Sequence, residues 1–108
     1  MDERLVLFVT APNAETAAAI ARALVEGRLA ACVSIVPAIR SIYAWQGKIE
    51  DEAESLLVVK TTAARVEAAK ARVLALHPYS VPEIIALPIV AGHQAYLDWL
   101  TAETREEA

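Results

Sequence analysis

The segment from Ala30 to Thr62 constrains this chain more than any other. Ala31-Cys32-Val33-Ser34-Ile35-Val36 is apolar and β-branched, and so strand-like. Pro37 interrupts it, as suits a bulge or an edge. Alternation then resumes: Ile39, Ser41, Tyr43 and Trp45 interleave with Arg40, Ile42, Ala44 and Gln46. Glu50 to Glu54 (EDEAE) reads as a charged, solvated turn, and Leu56 to Thr62 (LLVVKTT) returns as a second strand. The whole is one long hairpin. Fully extended, Ala30 to Lys48 would reach roughly 60 Å, against a radius of gyration of about 13 Å for a domain of this size. The hairpin must therefore bend at Pro37 and Gly47 or project beyond its own domain. A projecting arm carrying Ile42, Tyr43 and Trp45 exposes an apolar edge that needs a partner.

Composition points the same way. Of the 108 residues, 56% are apolar, above the usual share of roughly 45–50%. A chain this short forms one domain, residues 1–108, and cannot hide that much apolar surface alone. The outlets are a membrane and a subunit interface. A spanning helix needs about 20 apolar residues. The longest uncharged run, Ile84 to Leu97, has 14 and is broken by Pro88 and Gly92. The start, Met1-Asp2-Glu3-Arg4, is acidic and lacks a signal-peptide pattern. The expectation is a cytoplasmic homo-oligomer. Ten basic residues are scattered among fourteen acidic ones, giving a net charge of −4 and no nucleic-acid surface. Cys32 is the only cysteine, so an intrachain disulfide and a four-cysteine metal site are excluded.

The remaining elements follow from periodicity. Leu5 to Thr10 reads as a strand buried on both faces. Asn13 caps a helix from Ala14 to Glu26, with Glu15 in its first turn and Gly27 at its stop. Ala17, Ile20, Ala21 and Leu24 form its buried face. A second helix spans Ala63 to Leu76, with Val66, Ala69, Val73 and Leu76 inward. Ile84 to Val90 is a strand, at an edge or bulge where Pro88 falls. Gln94 to Glu103 is a third helix, with Tyr96, Leu97 and Leu100 on one side. The order is βαββαβ plus a helix: an α+β, ferredoxin-like sandwich with a long central hairpin.

Chemistry is sparse. There is no nucleophile elbow, phosphate loop or dinucleotide fingerprint. The loop Thr10 to Thr16 lacks the arginine of a phosphatase type built on this fold. The chain does not read as an enzyme. Cys32 is either a small core residue or a soft metal ligand. His77, at a helix end, either bonds a turn or ligates a metal. His93 reads as solvated. The acidic run Glu50 to Glu54 lacks the spacing of a calcium loop. Glu83 reads as a strand-start charge or a buried acid paired with Lys60. Trp45, Tyr43, Tyr79, Tyr96 and Trp99 read as core or interface anchors.

Several segments in order resemble one family. They are Ala30 to Val33, Ser41 to Ile49 (SIYAWQGKI), Lys60-Thr61-Thr62, His77 to Ile84 (HPYSVPEI) and Tyr96-Leu97-Asp98-Trp99. Together they are similar to the CutA family of divalent-cation tolerance proteins, over about residues 4 to 101. The resemblance implies a ferredoxin-like homotrimer with strands extended across subunits. It also implies a cytoplasmic bacterial protein linked to tolerance of copper and other divalent metals. The copper ligands attached to the family are two cysteines and a histidine. One cysteine matches Cys32, but Val9 and Leu76 stand where the other two would be. The metal candidates are thus Cys32 and His77, with copper or another divalent cation bound weakly or indirectly and no cofactor required. The alternative is a PII-like trimeric signalling module, similar in architecture only, holding a small metabolite or nucleotide between subunits. Its cleft candidates are Lys60, Tyr79, Glu83 and Trp45, beside His77.

Overall fold

Strand β1 (Arg4–Ala11) concentrates β-branched and aromatic residues and lies inside the sheet. The computed structural model describes residues 3–106. β1 pairs antiparallel with β3 (Lys48–Thr62) on one side and with β4 (Ile84–Pro88) on the other. β2 (Cys32–Trp45) pairs antiparallel with β3 outside it, giving the order β2-β3-β1-β4. The architecture is mixed α+β, with one four-stranded antiparallel sheet and three helices. β4 is an edge strand, where Pro88, which has no N–H, is tolerated at its end.

Helices α1 (Ala14–Glu26) and α2 (Val66–Leu76) cover one face of the sheet. Leu7, Val9, Leu57 and Val59 alternate inward and meet Ala17, Ile20 and Leu24 of α1 and Ala69 and Val73 of α2. The alanines bring the helix backbones close to the sheet. Truncating a fully buried leucine such as Leu57 to alanine would cost about 2–5 kcal/mol. Arg4, Val6 and Phe8 face the other way. There α3 (Gln94–Glu103) crosses the Arg4 end, and Arg4 Nε donates to Thr101 Oγ1 at 2.9 Å.

Helix α1 begins as its sequence dictates: Asn13 Oδ1 accepts the Thr16 N–H at 2.8 Å. At its other end the left-handed residue is Arg28 (φ 59°) rather than the cap, Gly27. Arg28 also ties helices together, donating to the carbonyls of Ala102 and Arg105 at 2.8 Å each. A cation on those carbonyls suits the negative end of α3.

The hairpin differs from its sequence reading at the tip. β3 begins at Lys48, so the acidic run lies within the strand and not in a turn. The turn is only Gln46-Gly47, with φ of 50° and 81°. Positive φ at both central positions is the two-residue geometry that matches strand twist. Pro37 does mark a bulge: the register shifts between Val36 and Ile39, and Ser55 Oγ donates to the Pro37 carbonyl at 2.9 Å. The arm stretches the molecule to 45 × 27 × 22 Å. Its residues Ile42 and Ile49 are 64% and 74% exposed, and Val36, Ile85 and Leu87 are exposed on the sheet face opposite α1 and α2. The reading of β1 as buried on both faces thus overstates its cover, since Val6 and Phe8 are half-buried.

Smaller differences have local causes. A single 3-10 turn, Ala63–Arg65, precedes α2. Leu76 at the last turn of α2 is exposed. β4 stops at Pro88, short of Val90.

The cap gives a direct check. Asn13→Ala should destabilise the protein by about 1 kcal/mol, read as a lower urea midpoint at fixed protein concentration.

Candidate functional site

The end of β1 meets the end of α2 through His77. Its backbone N–H closes the helix on Val73 O at 2.8 Å, and its side chain is buried. The Tyr79 N–H donates to Nδ1 at 3.1 Å. Nδ1 is therefore the acceptor, and Nε2 carries the hydrogen that goes to Thr10 O at 2.7 Å. The Tyr79 ring leans on the imidazole at 4.7 Å between centroids, and its hydroxyl donates to Glu54 Oε2 at 2.9 Å. Burial and the Glu54 carboxylate push the Tyr79 phenol up to about 12. One chain of contacts thus runs from β1 through His77 and Tyr79 to the base of the hairpin arm.

Beside that chain, the arm and the loop after α2 enclose a groove of about 790 Å³. Trp45, Tyr79 and Glu83 line it, as does the acidic series Glu50, Glu52 and Glu54. Tyr43 donates to Glu52, and that bond is the main cause holding its phenol up to about 12. Arg40 grips Asp51 through two bonds, Nε to Oδ1 at 2.8 Å and Nη2 to Oδ2 at 2.7 Å. The same bonding lowers the Asp51 carboxyl and raises the Arg40 guanidinium.

Lys60 is elsewhere. It pairs with Cys32 in the ladder, and its Nζ donates to Ser34 Oγ at 2.6 Å and lies 3.8 Å from Cys32 Sγ. Glu83 is exposed, so it is neither a buried acid nor a partner of Lys60. Burial, followed by the neighbouring Cys32, raises the Tyr96 phenol. Trp99 and Tyr96 are both exposed, with centroids 5.5 Å apart.

The two metal candidates do not meet within the chain. Cys32 and Lys60 align with Val6, whereas His77 reaches Thr10. Four positions along a strand separate those rows by roughly 13 Å. Both His77 nitrogens are engaged, so a metal would have to displace Tyr79 or Thr10. Val9, where the resemblance implies a second cysteine, is fully buried in the helix-covered core, on the face opposite Cys32. Among the described residues, no three His, Cys, Asp or Glu side chains gather to hold a metal ion. The diagonal contacts Tyr43–Glu52 and Arg40–Asp51, and the burial of Glu54, escaped sequence reasoning. Each depends on a register that only a known turn position supplies.

Comparison with known proteins places this geometry in context. Residues 5–103 match the family model described as CutA1 divalent ion tolerance protein. The divalent-cation tolerance protein CutA of Thermus thermophilus is 57% identical over 99 residues, covering 92% of this chain and 96% of its own length. Human protein CutA is 50% identical over 97 residues, covering 90% of this chain but 54% of its own length. The chain thus spans about half of that longer relative. The solved T. thermophilus divalent cation tolerance protein superposes with a TM-score of 0.92 at 55% identity, covering 94% of this chain and 99% of that one. CutA1 from Oryza sativa gives 0.93 at 46% identity, covering 97% and 96%.

Two measurements test the contacts. Tyr79→Phe leaves Glu54 buried without its donor and should cost about 1–3 kcal/mol in urea unfolding. A phenol whose folded pKa is raised contributes stability that is complete below its unfolded value and is lost as pH climbs through the folded one. The Tyr43 and Tyr79 contributions should therefore be intact below pH 10.0 and disappear toward about 12. Tyrosinate absorbance should show neither phenol ionising at its ordinary pH.

Proposed function

The chain belongs to the CutA1 divalent ion tolerance family, and we propose that it acts as a cytoplasmic homotrimer in tolerance of divalent cations, copper among them. In this reading it is not an enzyme, and it binds metal weakly or indirectly. The observation that carries the assembly is the arm: an antiparallel ladder that runs past the core with Ile42, Tyr43, Trp45 and Ile49 exposed. Pairing arms between subunits covers that edge, and the strand order favours the ferredoxin-like arrangement. Second copies also cover the apolar face that carries Val36, Ile85 and Leu87.

Metal is substrate or signal here rather than a resident group. Cys32 is the soft donor and is only partly buried. His77 serves first as the clamp between β1 and the loop after α2. Weak copper binding that does not draw on both residues at once is consistent with their separation.

The groove favours a second reading, the PII-like one, in which a small metabolite sits against Trp45, Tyr79 and Glu83. Lys60 takes no part in it.

Light scattering should give three times the chain mass for the wild type, and Ile42→Asp should lower that mass or cause precipitation. A stable wild-type monomer would sink the proposal. In the same samples, Cys32→Ala should reduce copper binding. His77→Ala should act chiefly by lowering the unfolding midpoint.

A further inference from the structure

The arm, Ile39 to Glu54, leaves the core at a single level. On the β3 side, the last residue paired with β1 is Ser55. On the β2 side, the register shifts between Val36 and Ile39, and the Ser55 hydroxyl donates to the Pro37 carbonyl at that break. A bulge interrupts the ladder and bends the strand that carries it. The level of Pro37 and Ser55 is therefore where a two-stranded arm pivots.

Beyond that pivot the arm is self-contained. Arg40 with Asp51 and Tyr43 with Glu52 tie its two strands diagonally to each other, which stiffens it into one body. Its one buried residue is Glu54. Among the described residues, the bond from the Tyr79 hydroxyl to Glu54 Oε2, 2.9 Å long, is the only side-chain hydrogen bond or ion pair that joins the arm to the rest of the chain. Tyr79 is itself anchored: its N–H is held by His77 Nδ1, and His77 Nε2 is held by the Thr10 carbonyl at the end of β1. The bond thus spans the pivot, from an arm that can swing to a loop that cannot. An arm that swings away from the loop must break it.

We infer that the arm is a hinged strap that closes on a second copy of this chain, with the Tyr79–Glu54 bond as its latch, so that subunits part only when the latch opens. Tyr79 is thereby a positioning residue for assembly. The inference rests on the homotrimer proposed above and adds to it a mechanism of release.

The test follows the intact assembly in two ways. Native mass spectrometry reads how fast unlabelled and 15N-labelled assemblies exchange subunits. Hydrogen exchange reads the protection of arm amides against those of α1. Tyr79→Phe should speed both subunit mixing and arm exchange by roughly tenfold, the weight of one hydrogen bond to a charged group, and leave α1 protected. Glu54→Gln keeps a carbonyl acceptor for the hydroxyl and should lie closer to wild type than Tyr79→Phe. Leu24→Ala, a core truncation in α1 near the Lys60 row, should loosen α1 more than the arm. Unchanged arm protection in Tyr79→Phe overturns the latch. So does loosening of α1 as much as of the arm, or mixing as fast in Leu24→Ala as in Tyr79→Phe. A wild-type monomer sinks the strap together with the trimer, whereas an assembly whose mixing ignores Tyr79→Phe sinks the strap alone.

Discussion

The β2–β3 ladder continues beyond Ser55, where the last β1 pairing ends, and the rest of the molecule is arranged around that continuation. Within the core, β3 is flanked on both sides and its odd-numbered residues Leu57 and Val59 are fully buried. Past the bulge at Pro37, only β2 remains beside it. Two strands alone are marginal in water, so the arm needs cross-strand bonds and external cover. Arg40 with Asp51 and Tyr43 with Glu52 supply the bonds. The exposed isoleucines and Trp45 mark where cover is missing.

The base of the arm is fastened differently. Glu54 is the point at which the acidic run enters the folded core, and Tyr79 reaches it from the loop after α2. That loop is held in turn by His77, whose two ring nitrogens face opposite kinds of partner, a backbone N–H and a carbonyl. A neutral imidazole with one fixed tautomer is the group that satisfies both. The motif His77-Pro78-Tyr79 thus has a structural explanation that does not need a metal. The same clamp sets one wall of the groove, so the stability of the loop and the shape of the site are coupled.

Much of the layout was legible in the residues. The bounds of α1 and α3, the Asn13 cap, the buried stripe Ala17, Ile20, Ala21 and Leu24, and the bulge at Pro37 all stand as read. These are local features, governed by helical period, capping chemistry and the missing N–H of proline. The acidic run reads as a turn because charge alone favours one, whereas the chain turns at Gln46-Gly47, a tighter turn with a less usual first residue. Moving the turn by a few residues turns a solvated tip into a strand with one buried acid.

The candidate site divides along the same line. The family, the element order and the excess of apolar residues can be read from the residues alone, because each follows from residue types at short spacing. The separation of Cys32 from His77, the pairing of Lys60 with Ser34 and the burial of Glu54 against Tyr79 emerge with the folded chain. Those are contacts between residues distant in the chain. Strand register and loop packing set them, and a one-residue slip in register would send each side chain to the opposite face.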